Sequence, residues 1–180
     1  STCSGSSADT TLAWLLNENE DPDSRFYQKV DEEHIGISGH SQGGVGVFNA
    51  INEQPNGSLY TCAVSLSLTQ LELAEVLNMH YEPDKTNIPV LLLAATENDV
   101  ITPDGAKQLY DAVKNDKAVA LRNGMDHGKM LYSADGYVTA WFMWYLKGDT
   151  EAAKVFTGDA PELLRNQLYQ EQQIDISCIN

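Results

Sequence analysis

Three residues in this sequence have the types and the chain order that nucleophilic catalysis requires. Gly39-His40-Ser41-Gln42-Gly43 sets a serine between two glycines, at the point where an apolar stretch gives way to a helical one. A serine hydroxyl is inert at neutral pH and becomes a nucleophile only beside a base whose tautomer is fixed by an acid. When the serine sits in a strand-turn-helix elbow, the acid comes next in the chain and the histidine last. Asp99, in Glu97-Asn98-Asp99-Val100-Ile101-Thr102-Pro103, and His127, in Gly124-Met125-Asp126-His127-Gly128, supply that order. The chemistry would be acyl transfer, with Ser41 as nucleophile, His127 as base and Asp99 as the orienting acid. Glu97 is the alternative acid, and Asp126 reads as a residue that caps or flanks the histidine loop. Plainer readings stand beside these: a glycine-rich turn that binds phosphate at a helix N-terminus, a loop carboxylate capping the helix at Pro103, and a structural histidine. Of the other histidines, His34 precedes the serine strand, His80 lies in an irregular region, and His40 adjoins the serine with its side chain expected to point elsewhere.

For three such side chains to meet, the chain between them must build a sheet and bring their loops to one end of it. Ile35 and Ile37 alternate with smaller residues over His34 to Ser38, a short strand entering the serine turn, and Val45 to Ile51 then reads as helix. Tyr60 to Leu68 and Ile88 to Thr96 are apolar runs of the kind seen in parallel strands covered on both faces. Pro103 to Asn115 carries Ala106, Leu109, Tyr110 and Val113 at helical intervals behind an early proline. Ala118 to Arg122 reads as a shorter strand and Tyr137 to Leu146 as another helix. A first helix starts at the Ser7 to Asp9 cap and fades by Asn19. This alternation predicts an α/β protein with right-handed crossovers and a mostly parallel sheet flanked by helices. Asp99 and His127 then fall in loops at strand carboxyl ends, where such sheets place their ligands. Residues 1–180 read as one α/β domain, with 148–180 expected as a C-terminal helical extension built on Thr150 to Phe156 and Pro161 to Gln170.

Composition narrows the partners. The 180 residues hold 11 Lys and Arg against 26 Asp and Glu, a formal charge of −15, so no basic face exists to track a phosphate backbone. No nucleic-acid partner is expected, and a neutral or cationic small molecule suits the charge. With 42% hydrophobic and 21% charged residues the chain has the composition of a folded domain. Its longest apolar stretch, Val90 to Ala95, is far short of the ~18 residues of a membrane span. The first residues, Ser-Thr-Cys-Ser-Gly-Ser-Ser, show neither a basic segment nor an apolar one of the signal-peptide type. Cys3, Cys62 and Cys178 form no C-x-x-C pair and leave room for one bridge, with Cys62 expected inside. These features fit a cytoplasmic or an exported enzyme alike.

The strand and elbow Ile35-Gly36-Ile37-Ser38-Gly39-His40-Ser41-Gln42-Gly43-Gly44, the strand Leu91-Leu92-Leu93-Ala94-Ala95 followed by Asp99 and Pro103, and Asp126-His127-Gly128 are the signatures of a family. On these residues the chain resembles the α/β-hydrolases, and within them the bacterial dienelactone-hydrolase-like and polyester-hydrolase-like esterases, over about Ala8 to Leu146. The resemblance implies a serine esterase acting on small-molecule esters with no metal or organic cofactor. It implies the triad Ser41, Asp99 and His127, and the backbone N–H of Gln42 as one oxyanion-hole donor. The departure is at the front, since such proteins place several strands and a second oxyanion donor ahead of the serine elbow. The expectation is therefore a sheet lacking its N-terminal strands, in the carboxyl-terminal part of a longer hydrolase whose missing N-terminal half would be a partner. The Gly/Ser-rich start is the other source considered for the second donor.

Leu68 and Thr69, at the end of the strand before the acid strand, are candidate substrate contacts, as is the side chain of Gln42 beside the nucleophile. Trp141, Phe142, Trp144 and Tyr145 read as helix-to-sheet packing, Asn56-Gly57-Ser58 as a turn, and the acidic stretches around 17–23 and 31–33 as solvated faces. Two further functions share these residues. A peptidase or thioesterase would use the same three groups on a different acyl bond, and a binding module would keep them as a vestige.

Overall fold

The computed structural model describes residues 2–177, so Cys178 and any bridge to it lie outside the described residues. In chain order the principal elements are α1 (Ser6–Glu20), β1 (Ile35–His40), α2 (Gln42–Glu53), β2 (Tyr60–Leu66), α3 (Leu71–Val76) and β3 (Val90–Glu97). They continue with α4 (Pro103–Ala112), β4 (Lys117–Asp126), α5 (Met130–Ser133), α6 (Asp135–Lys147), α7 (Thr150–Ala153) and β5 (Tyr169–Asp175). The five strands form one sheet in the order β1-β2-β3-β4-β5. The first three pairings are parallel and the last is antiparallel.

Parallel neighbours require crossovers, and these cover one face of the sheet, while the segment between β4 and β5 covers the other. Alternate residues of the central strands divide between two cores. Ala63, Val90, Leu92, Ala94, Val119 and Leu121 pack with Leu12, Val45, Phe48 and Leu109 of α1, α2 and α4. Cys62, Val64, Leu91, Leu93, Ala118 and Ala120 pack on the other face with Met130, Trp141 and Phe156. Burial on both faces is why β2 and β3 are continuous apolar runs in the sequence. Trp141 is fully buried and meets Trp144, Tyr145 and Phe156 ring to ring, so the aromatic cluster is packing. Burial also pushes the Cys62 thiol up to about 12, which leaves it protonated as a core residue.

The C-terminal region differs from the expectation. Within 148–180, α7 and a 3-10 turn at Leu163–Arg165 are helical, but Tyr169–Asp175 is a strand on the β4 edge of the sheet. Tyr-Gln-Glu-Gln-Gln-Ile-Asp lacks an apolar alternation because an edge strand needs few buried side chains, and here Tyr169 is the only one of the seven that is buried. Strand β4 is also longer than Ala118 to Arg122, and α2 begins at Gln42, immediately behind the serine. Among the described residues, no helix is long and apolar enough to cross a membrane.

Candidate active site

Strand β1 delivers Ser41 to the carboxyl edge of the sheet in a backbone conformation that L-residues rarely adopt, with φ 59° and ψ −123°. Two bonds hold it there. Its N–H donates to the Leu66 carbonyl of β2 at 2.9 Å, and its own carbonyl accepts from Gly44 N–H at 2.9 Å. The turn is so tight that a Cβ on Gly39 would lie 2.1 Å from the Gly43 carbonyl oxygen. A Cβ on Gly44 would meet the side chains of Leu68 and Ser65 at 2.7 Å. Gly43 is different: a side chain there would enter open space, so the second glycine of the motif is not required by contact.

The loops after β3 and β4 bring the other two groups to this point. His127 Nε2 lies 2.9 Å from Ser41 Oγ, and His127 Nδ1 lies 2.7 Å from Asp99 Oδ1. An ionised carboxylate only accepts, so Nδ1 carries the proton and Nε2 is left as the acceptor for the serine hydroxyl. Asp99 is enclosed, with 2% of its side chain exposed against 26% for His127. Its Oδ1 also accepts from Val100 N–H at 2.7 Å, and its Oδ2 accepts from Ala95 N–H at 2.7 Å and from the Ser67 hydroxyl at 2.6 Å. Four donors therefore offset the cost of burying this charge. Glu97, the alternative acid, is exposed. Asp126 accepts from the Lys129 N–H at 3.0 Å and pairs with its ammonium at 2.9 Å, which places it as the cap of the histidine loop.

Gln42 is the first residue of α2, where backbone N–H groups have no acceptor within the helix and the helix dipole is positive. An oxyanion formed on a carbonyl attacked by Ser41 would lie beside that N–H. In the Gly/Ser-rich start, a Cβ on Gly5 would strike the Ala50 backbone at 2.3 Å, more than two turns along α2 from Ser41. Leu68 and Thr69 do not have the surface that a substrate contact needs. Leu68 is 1% exposed under Gly44, and Thr69 is 3% exposed, its carbonyl held by the Tyr81 hydroxyl at 2.7 Å. The strand before the acid strand ends by turning these side chains into the core.

Two neighbours of the site were not legible. The His40 side chain, expected to point away, reaches under the histidine loop: its Nε2–H donates to the His127 carbonyl at 2.7 Å, with the two rings 4.6 Å apart. Ser67 carried no signal beyond its position at the end of a predicted strand. That position was itself informative, because the Asp99 loop sits at the same end of the next strand. Among the described residues no group of three His, Cys, Asp or Glu is placed to hold a metal ion.

The comparison with protein families decides the relationship. Residues 2–174 match the family described as PET hydrolase-like. The chain belongs to that family. This PET hydrolase-like protein thus carries the polyester-hydrolase-like relationship read from its motifs, and its mostly parallel sheet with flanking helices is the α/β-hydrolase-like fold. The match extends past α6, where the resemblance in the sequence ended, to include nearly all of β5. Membership supports hydrolysis of esters as the activity. No curated protein matches the chain.

Proposed function

We propose that this protein is a serine hydrolase that cleaves carboxylic esters through an acyl-enzyme. The observation that carries the proposal is the unbroken chain of hydrogen bonds from Ser41 Oγ through both nitrogens of His127 to Asp99. Ser41 attacks the ester carbonyl while His127 Nε2 takes the hydroxyl proton. Asp99, accepting from Nδ1–H, holds the ring and stabilises its cationic form. The Gln42 N–H receives the developing oxyanion. His127 then returns the proton to the leaving alcohol, and the serine ester remains. Water repeats the sequence, giving up its proton to Nε2 as it attacks the acyl carbon, and Ser41 is released with the acid. No step needs a group beyond these side chains, the backbone and water.

A fluorophosphonate probe should label Ser41 in the wild-type chain and leave Ser41→Ala unlabelled, with turnover of p-nitrophenyl butyrate lower by at least ~10³-fold in the variant. Labelling at another residue, or turnover retained in Ser41→Ala, would overturn the assignment. Amide and thioester analogues of the same acyl group, assayed alongside, report whether the ester is the preferred bond.

A further inference from the structure

Ser67 takes no part in the proton transfers just described, yet it is fully buried and bonded to the group that orients them. It follows β2 directly, in a left-handed conformation with φ 43°, its N–H pinned to the Leu93 carbonyl of β3 at 2.7 Å. Glycine would occupy such a conformation without strain. A serine kept there, with its hydroxyl 2.6 Å from Asp99 Oδ2, indicates that the hydroxyl is what the position supplies.

We propose that Ser67 is a positioning residue, whose hydroxyl fixes the Asp99 carboxylate in the orientation that His127 requires. The inference rests on the serine-hydrolase reading above. The terminal torsion of an aspartate is broad, so a carboxylate held at one oxygen can rock about its axis. Asp99 Oδ1 is shared between Val100 N–H and His127, and rotation would carry it out of line with Nδ1. The Oδ2 atom is anchored from two adjacent strands, by Ala95 N–H of β3 and by Ser67 beyond β2. With Val100 N–H on Oδ1, the two donors on Oδ2 fix the plane of the carboxylate, and loss of the Ser67 hydroxyl leaves Oδ2 with Ala95 N–H alone. Being fully buried, Ser67 presents no surface to a substrate, and any effect on turnover must pass through Asp99.

Three variants separate positioning from support of the fold. Ser67→Gly removes the hydroxyl and relieves the backbone. Ser67→Ala removes the hydroxyl and keeps the strain. Ser67→Thr keeps the hydroxyl and adds a β-branch, which a positive φ disfavours. Stability should therefore fall in the order Gly, Ala, Thr. Activity should follow the hydroxyl instead, with kcat for p-nitrophenyl butyrate reduced roughly tenfold in both Gly and Ala, restored toward wild type in Thr, and KM unchanged throughout. A kcat within twofold of wild type in Gly and Ala, or losses that follow melting temperature rather than the hydroxyl, would overturn the proposal. The His127 Nδ1–H proton resonance gives a second reading that does not depend on turnover. It should move in Gly and Ala and stay in Thr, and an unchanged resonance in all three counts against Ser67. Should the wild-type chain turn over no ester, the hydrolase reading falls, and this resonance still decides the role of Ser67 toward Asp99.

Discussion

The two ends of the parallel sheet are built from different backbone. At the carboxyl end, Ser41 (φ 59°), Ser67 (φ 43°) and Asn98 (φ 48°) follow β1, β2 and β3 directly, and Gly124 (φ 69°) bends β4 shortly before His127. At the amino end, Ile35, Tyr60, Val90 and Lys117 open their strands without one left-handed residue. Each non-glycine residue of that kind costs on the order of 1–3 kcal/mol and persists only where its surroundings over-determine it. Here the neighbouring strand does so, since Ser41 is pinned by a carbonyl of β2 and Ser67 by one of β3. Among the junctions of the parallel strands, the strained ones fall at the end where loops must aim hydroxyl, imidazole and carboxylate at one another.

The sharpest way to break that comparison is to exchange one carboxylate for an amide at each end. Asp99→Asn presents an NH2 group to donors that now find an acceptor, and it no longer holds His127 with Nε2 free to accept. Turnover of p-nitrophenyl butyrate should fall roughly 10³- to 10⁴-fold. At the amino end Asp116, which accepts from Ser177 N–H at 3.0 Å and from the Tyr145 hydroxyl at 3.4 Å, is the control. Asp116→Asn should leave kcat within twofold of wild type. Comparable losses in the two variants would mean that the ends do not differ in function.

The same contrast explains what could be read from the sequence. The apolar runs of β2 and β3 were visible because both faces are buried, and the elbow because Gly39 and Gly43 flank Ser41, although of these two only Gly39 must lack a side chain. Asp99 and His127 followed from loop order alone. Strand β5 was hidden because an edge strand of glutamines and a glutamate has no apolar period. Leu68 and Thr69 misled because the chain turns sharply at Ser67, which sends them into the core rather than toward solvent. His40 and Ser67 could not be assigned, since their partners, the His127 carbonyl and the Asp99 carboxylate, are distant in the chain and no local pattern records the pairing.

A smaller effect should appear in stability alone. Lys117 opens β4 almost buried, its ammonium donating to the Val113 carbonyl at 2.6 Å, 4.8 Å from the Tyr110 ring centre and 3.7 Å from Asp175. Lys117→Met keeps most of the volume and leaves the Val113 carbonyl without this donor. Denaturant unfolding should show a loss of about 1–3 kcal/mol, with kcat and KM unchanged. A tenfold fall in kcat in the folded variant would show that the amino end also sets the geometry of the site.

The smallest effect distinguishes two carboxylates at the same end. Asp126 sits in the histidine loop as Asp99 sits in the acid loop, but it is partly exposed, and the Lys129 side chain bonded to it holds its carboxyl below the ordinary aspartate value. A depressed value in the folded state means that the stabilisation is present above the ordinary value, about 3.9, and is lost as pH falls through the lowered one. In an exposed ion pair screened by water the effect on stability is slight, and at neutral pH Asp126 is ionised with or without its partner. Following the Asp126 carboxyl carbon by NMR, the titration midpoint should rise toward the ordinary value in Lys129→Ala, while ester turnover at pH 7 to 8 stays as in wild type. If turnover fell with the loss of Lys129, the Asp126 cap would be holding His127 in place, and the support of the base would extend from the buried carboxylate to the partly exposed one.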